Sequence, residues 1–169
     1  MSAAGALRPY KIPESVLVVI HTPDLDVLLL RRADMGTWQS VTGSKDAPDE
    51  AYRATAVREV QEETGLLCEA EGHVLVDWQI ENCYAIHPAY AHRYAPDVTH
   101  NTEHVFSLCV PSRLPVTCHP REHTAFVWLP WQDARHQVFS VTNAKAIEEL
   151  AARCPRTPRG GKSVQASHG

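Results

Sequence analysis

Three glutamates, Glu59, Glu62 and Glu63, crowd one short stretch between Gly43 and Gly65. On a helix with 3.6 residues per turn, Glu59 and Glu63 stack one above the other and Glu62 lies beside them. Like charges four apart weaken a helix by roughly 0.2–0.5 kcal/mol per pair. A divalent cation reverses that sign. Oxygen ligands alone suit Mg²⁺, which takes one or two carboxylates, keeps waters and leaves room for substrate phosphates. The plainer reading is a solvated helix face on which Arg58 pairs with Glu62 four residues on.

The spacing decides between the two. Arg58-Glu59-Val60-Gln61-Glu62-Glu63-Thr64-Gly65-Leu66 resembles, position for position, the second half of the Nudix box, Gly-x5-Glu-x7-Arg-Glu-U-x-Glu-Glu-x-Gly-U with U aliphatic. Seven residues separate Glu50 from Arg58, as the box requires. One departure stands out: six residues, not five, separate Gly43 from Glu50. Either Glu50 keeps the glutamate position, or Asp49 takes it. The first is preferred, because a loop absorbs an insertion more readily than a helix keeps register after one. Asp46, Pro48 and Asp49 suit a slightly longer loop before the helix.

Several elements have to position these side chains. A helix over roughly Asp49 to Thr64 carries them, with Ala54, Val57 and Val60 on its inward side and Gly65 as a left-handed cap. Trp38 to Thr42 reads as a short strand that delivers Gly43. Before it, Ser15 to Ile20 and Val27 to Leu30 form a hairpin around the turn residues Thr22 to Asp26. After the helix, Leu66 to Gln79 holds one or two strands broken near Gly72, and Asn82 to Ile86 reads as another. Pro88 to Thr102 reads as a long loop, of the kind that is often functional. Glu103 to Val110 and Thr124 to Leu129 read as strands. Thr142 to Arg153 is an amphipathic helix with Ala146, Ile147, Leu150 and Ala151 apolar and Thr142 or Asn143 as N-cap. This order describes a mixed α+β domain over residues 8–153. The Pro-, Gly- and Ser-rich stretch 154–169 reads as a disordered tail.

Composition sets outer bounds. The 169 residues are 44% hydrophobic and 21% charged, as expected of one soluble globular domain. A net charge of −4 argues against a broad nucleic-acid surface. No apolar stretch approaches the roughly 20 residues that span a bilayer, and Met1 to Pro9 lacks the apolar run of a signal peptide. The five cysteines show no C-x-x-C spacing, which suits reduced thiols in the cytoplasm. The ten histidines are scattered without a paired metal spacing.

Further strings outside the box are Trp38-Gln39-Ser40-Val41-Thr42-Gly43, His92-Arg93-Tyr94-Ala95-Pro96, Val98-Thr99, Asn101-Thr102-Glu103, Glu122-His123, Trp128-Leu129, and Asn143 with Ala146-Ile147-Glu148. In these the chain resembles one branch of the Nudix hydrolases, the bacterial dihydroneopterin triphosphate pyrophosphohydrolases, also described as dATP pyrophosphohydrolases. The likeness runs from about Tyr10 to about Leu150 and implies the family's α/β/α sandwich. It implies metal ligands at Glu59, Glu63 and Glu122, for Mg²⁺ or alternatively Mn²⁺. It implies catalytic roles for Arg58, Glu62 and Glu63, and substrate contacts at Lys11, Arg31, Thr42, Tyr84, Ala85, Ile86, His87 and Ser140.

Residue chemistry is compatible with each of these roles. Lys11 and Arg31 offer a point charge and a planar fork to a triphosphate, though each alone also reads as a surface cation. Tyr84 can stack on a pterin or pack in the core. Glu62, Glu122 and His123 all stand as general-base candidates. The implied reaction is Mg²⁺-dependent release of pyrophosphate from dihydroneopterin triphosphate in folate biosynthesis. The implied partner is a small-molecule triphosphate, with no nucleic acid, membrane or obligate protein partner. Two rivals are clearance of deoxynucleoside triphosphates such as dATP, and a catalytically silent nucleotide sensor. The sensor leaves the intact glutamates and Arg58 unexplained.

Overall fold

The computed structural model describes residues 9–154, so the tail expectation, past Cys154, lies outside the described residues. The element order is β1 (Glu14–His21), β2 (Asp26–Arg32), β3 (Trp38–Gln39), β4 (Val41–Ser44), α1 (Tyr52–Thr64), β5 (Val74–Ala85), a 3₁₀ turn (Pro88–Arg93), β6 (His100–Cys109), β7 (His123–Pro130), α2 (Trp131–Gln137) and α3 (Val141–Arg153).

Residues 16 to 20 of β1 are buried on both faces, which suits their unbroken Val, Leu and Ile run. β1 is antiparallel to β4 and runs parallel to β6. The sheet order is β3-β2-β1-β6-β5, with β4 paired to β1 and β7 to β2. Alternation along β1 divides the core. Val16, Val18 and Ile20 pack with Leu28, Phe106 and α1 residues Ala56 and Val60. Leu17 and Val19 pack with Leu29, Val105, Ala134 of α2, and Ala146, Ile147 and Leu150 of α3. The sheet thus lies between α1 on one face and α2 with α3 on the other. No helix among the described residues is long and apolar enough to cross a membrane. All five cysteines are free.

Several boundaries differ from expectation. α1 begins at Tyr52, not Asp49, because Glu50 closes a turn onto the Ala47 carbonyl. Its inward stripe is Ala56, Val60, Glu63 and Thr64, and Ala54 faces solvent. The reason is register: positions 56, 60, 63 and 64 share one face. Gly65 is left-handed as expected, with φ 75° and its N–H on the Gln61 carbonyl.

Residues 66 to 73 form turns, and β5 is one strand. Gln79, at φ 55°, marks a bulge that breaks the period-2 pattern between Asp77 and Glu81. The segment after Pro88 holds a 3₁₀ turn, and β6 starts at His100. α3 is capped by Ser140, which accepts from the Asn143 N–H at 3.4 Å, and not by Thr142 or Asn143. α2 has seven residues, too few to show a helical period.

Candidate active site

The site is built where β4 runs into α1. Gly43 lies opposite Val16 of β1 and directly against the Glu59 side chain. A Cβ at Gly43 would overlap the Glu59 carboxylate, so this close approach requires glycine. The extra loop residue is absorbed before α1, and Glu50 takes the place that Asp49 might have held.

Arg58 is the hub. Its Nη2 donates to Glu50 Oε1 at 2.8 Å and to the Ser44 carbonyl at 3.0 Å. Nη1 donates to Glu59 Oε1 at 2.8 Å and lies 3.5 Å from Glu62 Oε2, while Nε lies 3.0 Å from Asp46 Oδ2. Glu50 also accepts from the Thr55 hydroxyl at 2.5 Å. The Arg58 hydrogen bond holds the Glu50 carboxyl down at about 2. Arg58 therefore ties the loop to the helix and aims Glu59. Glu62 projects outward, about half exposed.

Beyond this clamp the electrostatics reverse. Burial pushes Glu59 up to about 7, even though Arg58 opposes the rise. Glu63 is 4% exposed, and burial together with Glu59 and Glu122 raises its carboxyl well above the usual range. Thr42 donates its N–H to Glu63, yet Glu63 Oε2 has no partner among the described residues. The exposed Glu122, on the turn leading into β7, and the buried His123 bring ligand atoms within 4.8 Å of each other and of Glu63. Neither His123 ring nitrogen has a partner among the described residues, and burial lowers its pKa. Clustered carboxylates with an orphaned buried oxygen are costly in the bare protein and answered by a cation. The group of ligand atoms brought together, from Glu63, Glu122 and His123, suits a divalent ion, while Glu59, the other carboxylate expected there, lies outside that group with Oε1 bonded to Arg58. His123 joins that group as a neighbour that the spacing alone did not place there.

Cations face this cluster. Burial, then Arg93 and Arg32, lower the Lys11 pKa, while Glu59 and Glu122 act to raise it, so these five side chains share one region. Arg32 donates to Asp34 at 2.9 and 2.8 Å and lies 5.0 Å from the Tyr90 ring, which Arg93 also covers at 5.2 Å. Sequence reasoning named Arg31 but passed over Arg32 and Arg93. Arg31 donates to the Gly36 carbonyl at 3.3 Å. Consecutive strand residues face opposite ways, and a β-bulge against β7 falls between these two arginines. The adjacent His92-Arg93 string was the available signal for Arg93.

The other implied substrate residues lie at the ends of β5 and α3. Tyr84 is 36% exposed, and its hydroxyl donates to Glu103 Oε2 at 3.3 Å. Ala85 ends β5, and Ile86 donates its N–H to the Thr99 carbonyl. His87 caps the 3₁₀ turn and faces Phe139 at 6.4 Å between ring centroids. Ser140 caps α3. The Thr42 hydroxyl accepts from Gln39 at 3.3 Å. Two regions result: acids and cations on the α1 side, and Tyr84, His87 and Ser140 on the α3 side. They meet where Ser15 of β1 pairs with Ser44 of β4.

A family profile described as the NUDIX domain matches residues 11–150. The chain belongs to the Nudix family. Among curated Nudix relatives, the dihydroneopterin triphosphate diphosphatase of Escherichia coli (strain K12) is 41% identical over 145 residues, covering 85% of this chain and 95% of the relative. The protein of the same name from Haemophilus influenzae is 38% identical over 150 residues, covering 86% and 92%. A solved structure of the E. coli dihydroneopterin triphosphate pyrophosphohydrolase superposes with a TM-score of 0.80 at 39% identity, covering 86% of this chain and 99% of that one. The sandwich implied by the box is therefore this chain's fold, and the chain is a Nudix hydrolase.

Proposed function

We propose that this chain hydrolyses dihydroneopterin triphosphate to dihydroneopterin monophosphate and pyrophosphate, using Mg²⁺, as a step toward folate. The observation that carries the substrate is the likeness to diphosphatases of that name over nearly their whole length. The chemistry is supported by the carboxylate cluster around Glu63.

In this reading Glu59, Glu63 and Glu122 hold the metal, Mg²⁺ or alternatively Mn²⁺. When bound, the ion neutralises phosphate charge and acidifies water. The chain's own groups do the rest. Arg58 fixes the Glu59 carboxylate through a 2.8 Å bond, so a ligand oxygen is oriented before substrate arrives. Lys11, Arg32 and Arg93 balance the negative charge of a triphosphate entering beside the carboxylates. Arg31, Thr42, Tyr84, Ala85, Ile86, His87 and Ser140 remain as proposed contacts to phosphate or ring. Glu62, Glu122 and His123 are the candidates to accept a proton from attacking water. His123 suits that role because burial favours its neutral form. Catalysis is then mainly positioning and electrostatics.

The test is pyrophosphate release from dihydroneopterin triphosphate, with and without Mg²⁺, with dATP at matched concentration. Mg²⁺-dependent release with higher kcat/KM on the pterin is the expected result. A preference for dATP moves the function to nucleotide clearance. No release from either, with metal bound, leaves a silent nucleotide-binding domain.

A further inference from the structure

On the sheet face opposite α1, β6 carries two buried acceptor atoms, Asn101 Oδ1 and Glu103 Oε1, without a hydrogen-bond partner among the described residues. Asn101 is 3% exposed and Glu103 is 4% exposed, and they are successive same-face positions of the strand. Asn101 Nδ2 reaches Ser15 Oγ at 2.7 Å and the Tyr84 hydroxyl at 3.1 Å, which leaves Oδ1 facing no donor. The Tyr84 hydroxyl bonds Glu103 Oε2 and the Thr142 and Asn82 side chains also lie against the carboxyl, yet Oε1 has no partner in hydrogen-bonding geometry among the described residues. An unmet buried acceptor costs about 1–3 kcal/mol, and native proteins keep few of them.

Place and surroundings point to a ligand. Ser15 pairs across β1 with both Glu103 of β6 and Ser44 of β4. The Ser44 carbonyl in turn accepts from Arg58. The acceptor pair thus sits roughly two strand spacings, about 10 Å, from the Arg58 clamp of α1. Tyr84, Phe139 and Val141 leave large apolar surface exposed at the neighbouring ends of β5 and α3. A flat ring with its phosphates at the carboxylates would have apolar walls on one side and a row of acceptors at its edge.

We propose that Glu103, supported by Asn101, reads the hydrogen-bonding edge of the substrate's pteridine ring, accepting from its N3–H and 2-amino groups. The inference rests on the pterin reading above and adds the residue that enforces it. The pyrimidine half of a pterin presents two parallel N–H donors, and a carboxylate accepts two in parallel. Burial pushes the Glu103 carboxyl above its usual range, and two ligand donors favour the charged form. Adenine presents a donor at its 6-amino group but an acceptor at N1, so one lone pair would face Glu103. The same buried carboxyl that welcomes the pterin therefore disfavours dATP. A strap role, holding Tyr84 and α3 to β6, is the alternative to be separated.

The experiment is Glu103→Gln in the full chain, assayed on both triphosphates. Glutamine keeps the size and replaces one acceptor by a donor. We expect kcat/KM for dihydroneopterin triphosphate to fall about 10- to 100-fold, mainly through KM. On dATP the change should stay within about threefold, since that ring does not satisfy the carboxyl. Equal losses on both substrates mean a strap, and no loss on either means no role; both overturn the inference. Wild-type turnover is measured first. If the wild type does not cleave the pterin, the reading under Proposed function fails and takes this one with it. If it does and the variant keeps the same preference, only this inference fails. Should Glu103→Gln not fold, inhibition of the wild type by pterin and by lumazine decides, because lumazine carries a 2-oxo group in place of the 2-amino group. Pterin should bind at least about tenfold more tightly, and equal affinities overturn the inference.

Discussion

At the scale of single residues, Glu63 is the side chain most at odds with its surroundings. It is buried, carries an oxygen with no partner among the described residues and faces two other carboxylates. Replacing it with glutamine removes a buried ionisable carboxyl and a proposed metal ligand together. Glu63→Gln should raise the metal-free melting temperature by a few degrees, because about 1 kcal/mol moves Tm by roughly 2–4 °C at this size. It should also abolish the melting shift caused by Mg²⁺ and cut turnover at least ~100-fold, more than a supporting residue costs. Melting curves in chelator and in Mg²⁺, beside a pyrophosphate assay, check all three; near-normal turnover in a folded variant would remove Glu63 from the metal site. Glu59, Glu62, Glu63 and Arg58 were legible because their relation lies within one and a half helical turns. Arg32 and Arg93 were not, since a strand's alternation and a bulge decide which of two adjacent arginines faces the acids.

At the scale of elements, α1 stores electrostatic strain that pH and metal control. Glu59 has an ordinary carboxyl pKa of 4.5 when unfolded and about 7 when folded. Between those values the folded state holds more protons than the unfolded state, so this group's contribution to stability falls as pH rises. His21 and His123, both lowered by burial, pull the other way as pH rises through their range. The difference between wild type and Glu59→Gln isolates the carboxyl. In chelator, the variant's melting-temperature advantage should grow from pH 4.5 to 7. In Mg²⁺ the wild type should regain stability, most at the upper end, where the ligands are deprotonated. A constant difference across that range would refute the raised Glu59. The elements themselves were legible where period and punctuation agree, as at Gly65 and in β1. They were obscured where a bulge breaks alternation at Gln79, and where α2 is too short to show a period. Ser140 illustrates the overlap of roles: it caps α3 and also stands among the residues proposed to contact substrate.

At the scale of the whole molecule, Asn143 joins parts that lie 103 residues apart. Its Oδ1 accepts from the Ser40 N–H and its Nδ2 reaches Ser40 Oγ, both at 2.9 Å and both buried. This clamp fixes α3 against the turn between β3 and β4, the segment that presents Thr42 and Gly43. Asn143→Ala should leave those buried groups unmet and cost about 2–3 kcal/mol, read as a lower midpoint with unchanged m-value in urea unfolding. It should also weaken the Mg²⁺-induced melting shift, because Gly43 and Thr42 lie against Glu59 and Glu63. A shift of normal size would mean that the metal site does not depend on α3. The sequence by itself determined the glutamate-rich helix, its glycine cap and the family to which the chain belongs. Those features lie in short strings whose geometry is set by the backbone's own period. Only the tertiary structure decided that Glu122 and His123 close on Glu63, that Arg32 and Arg93 join Lys11, and that Asn101 Oδ1 and Glu103 Oε1 lack a partner among the described residues. Each of those depends on which face a strand residue takes and on what packs over it, and no local spacing encodes that.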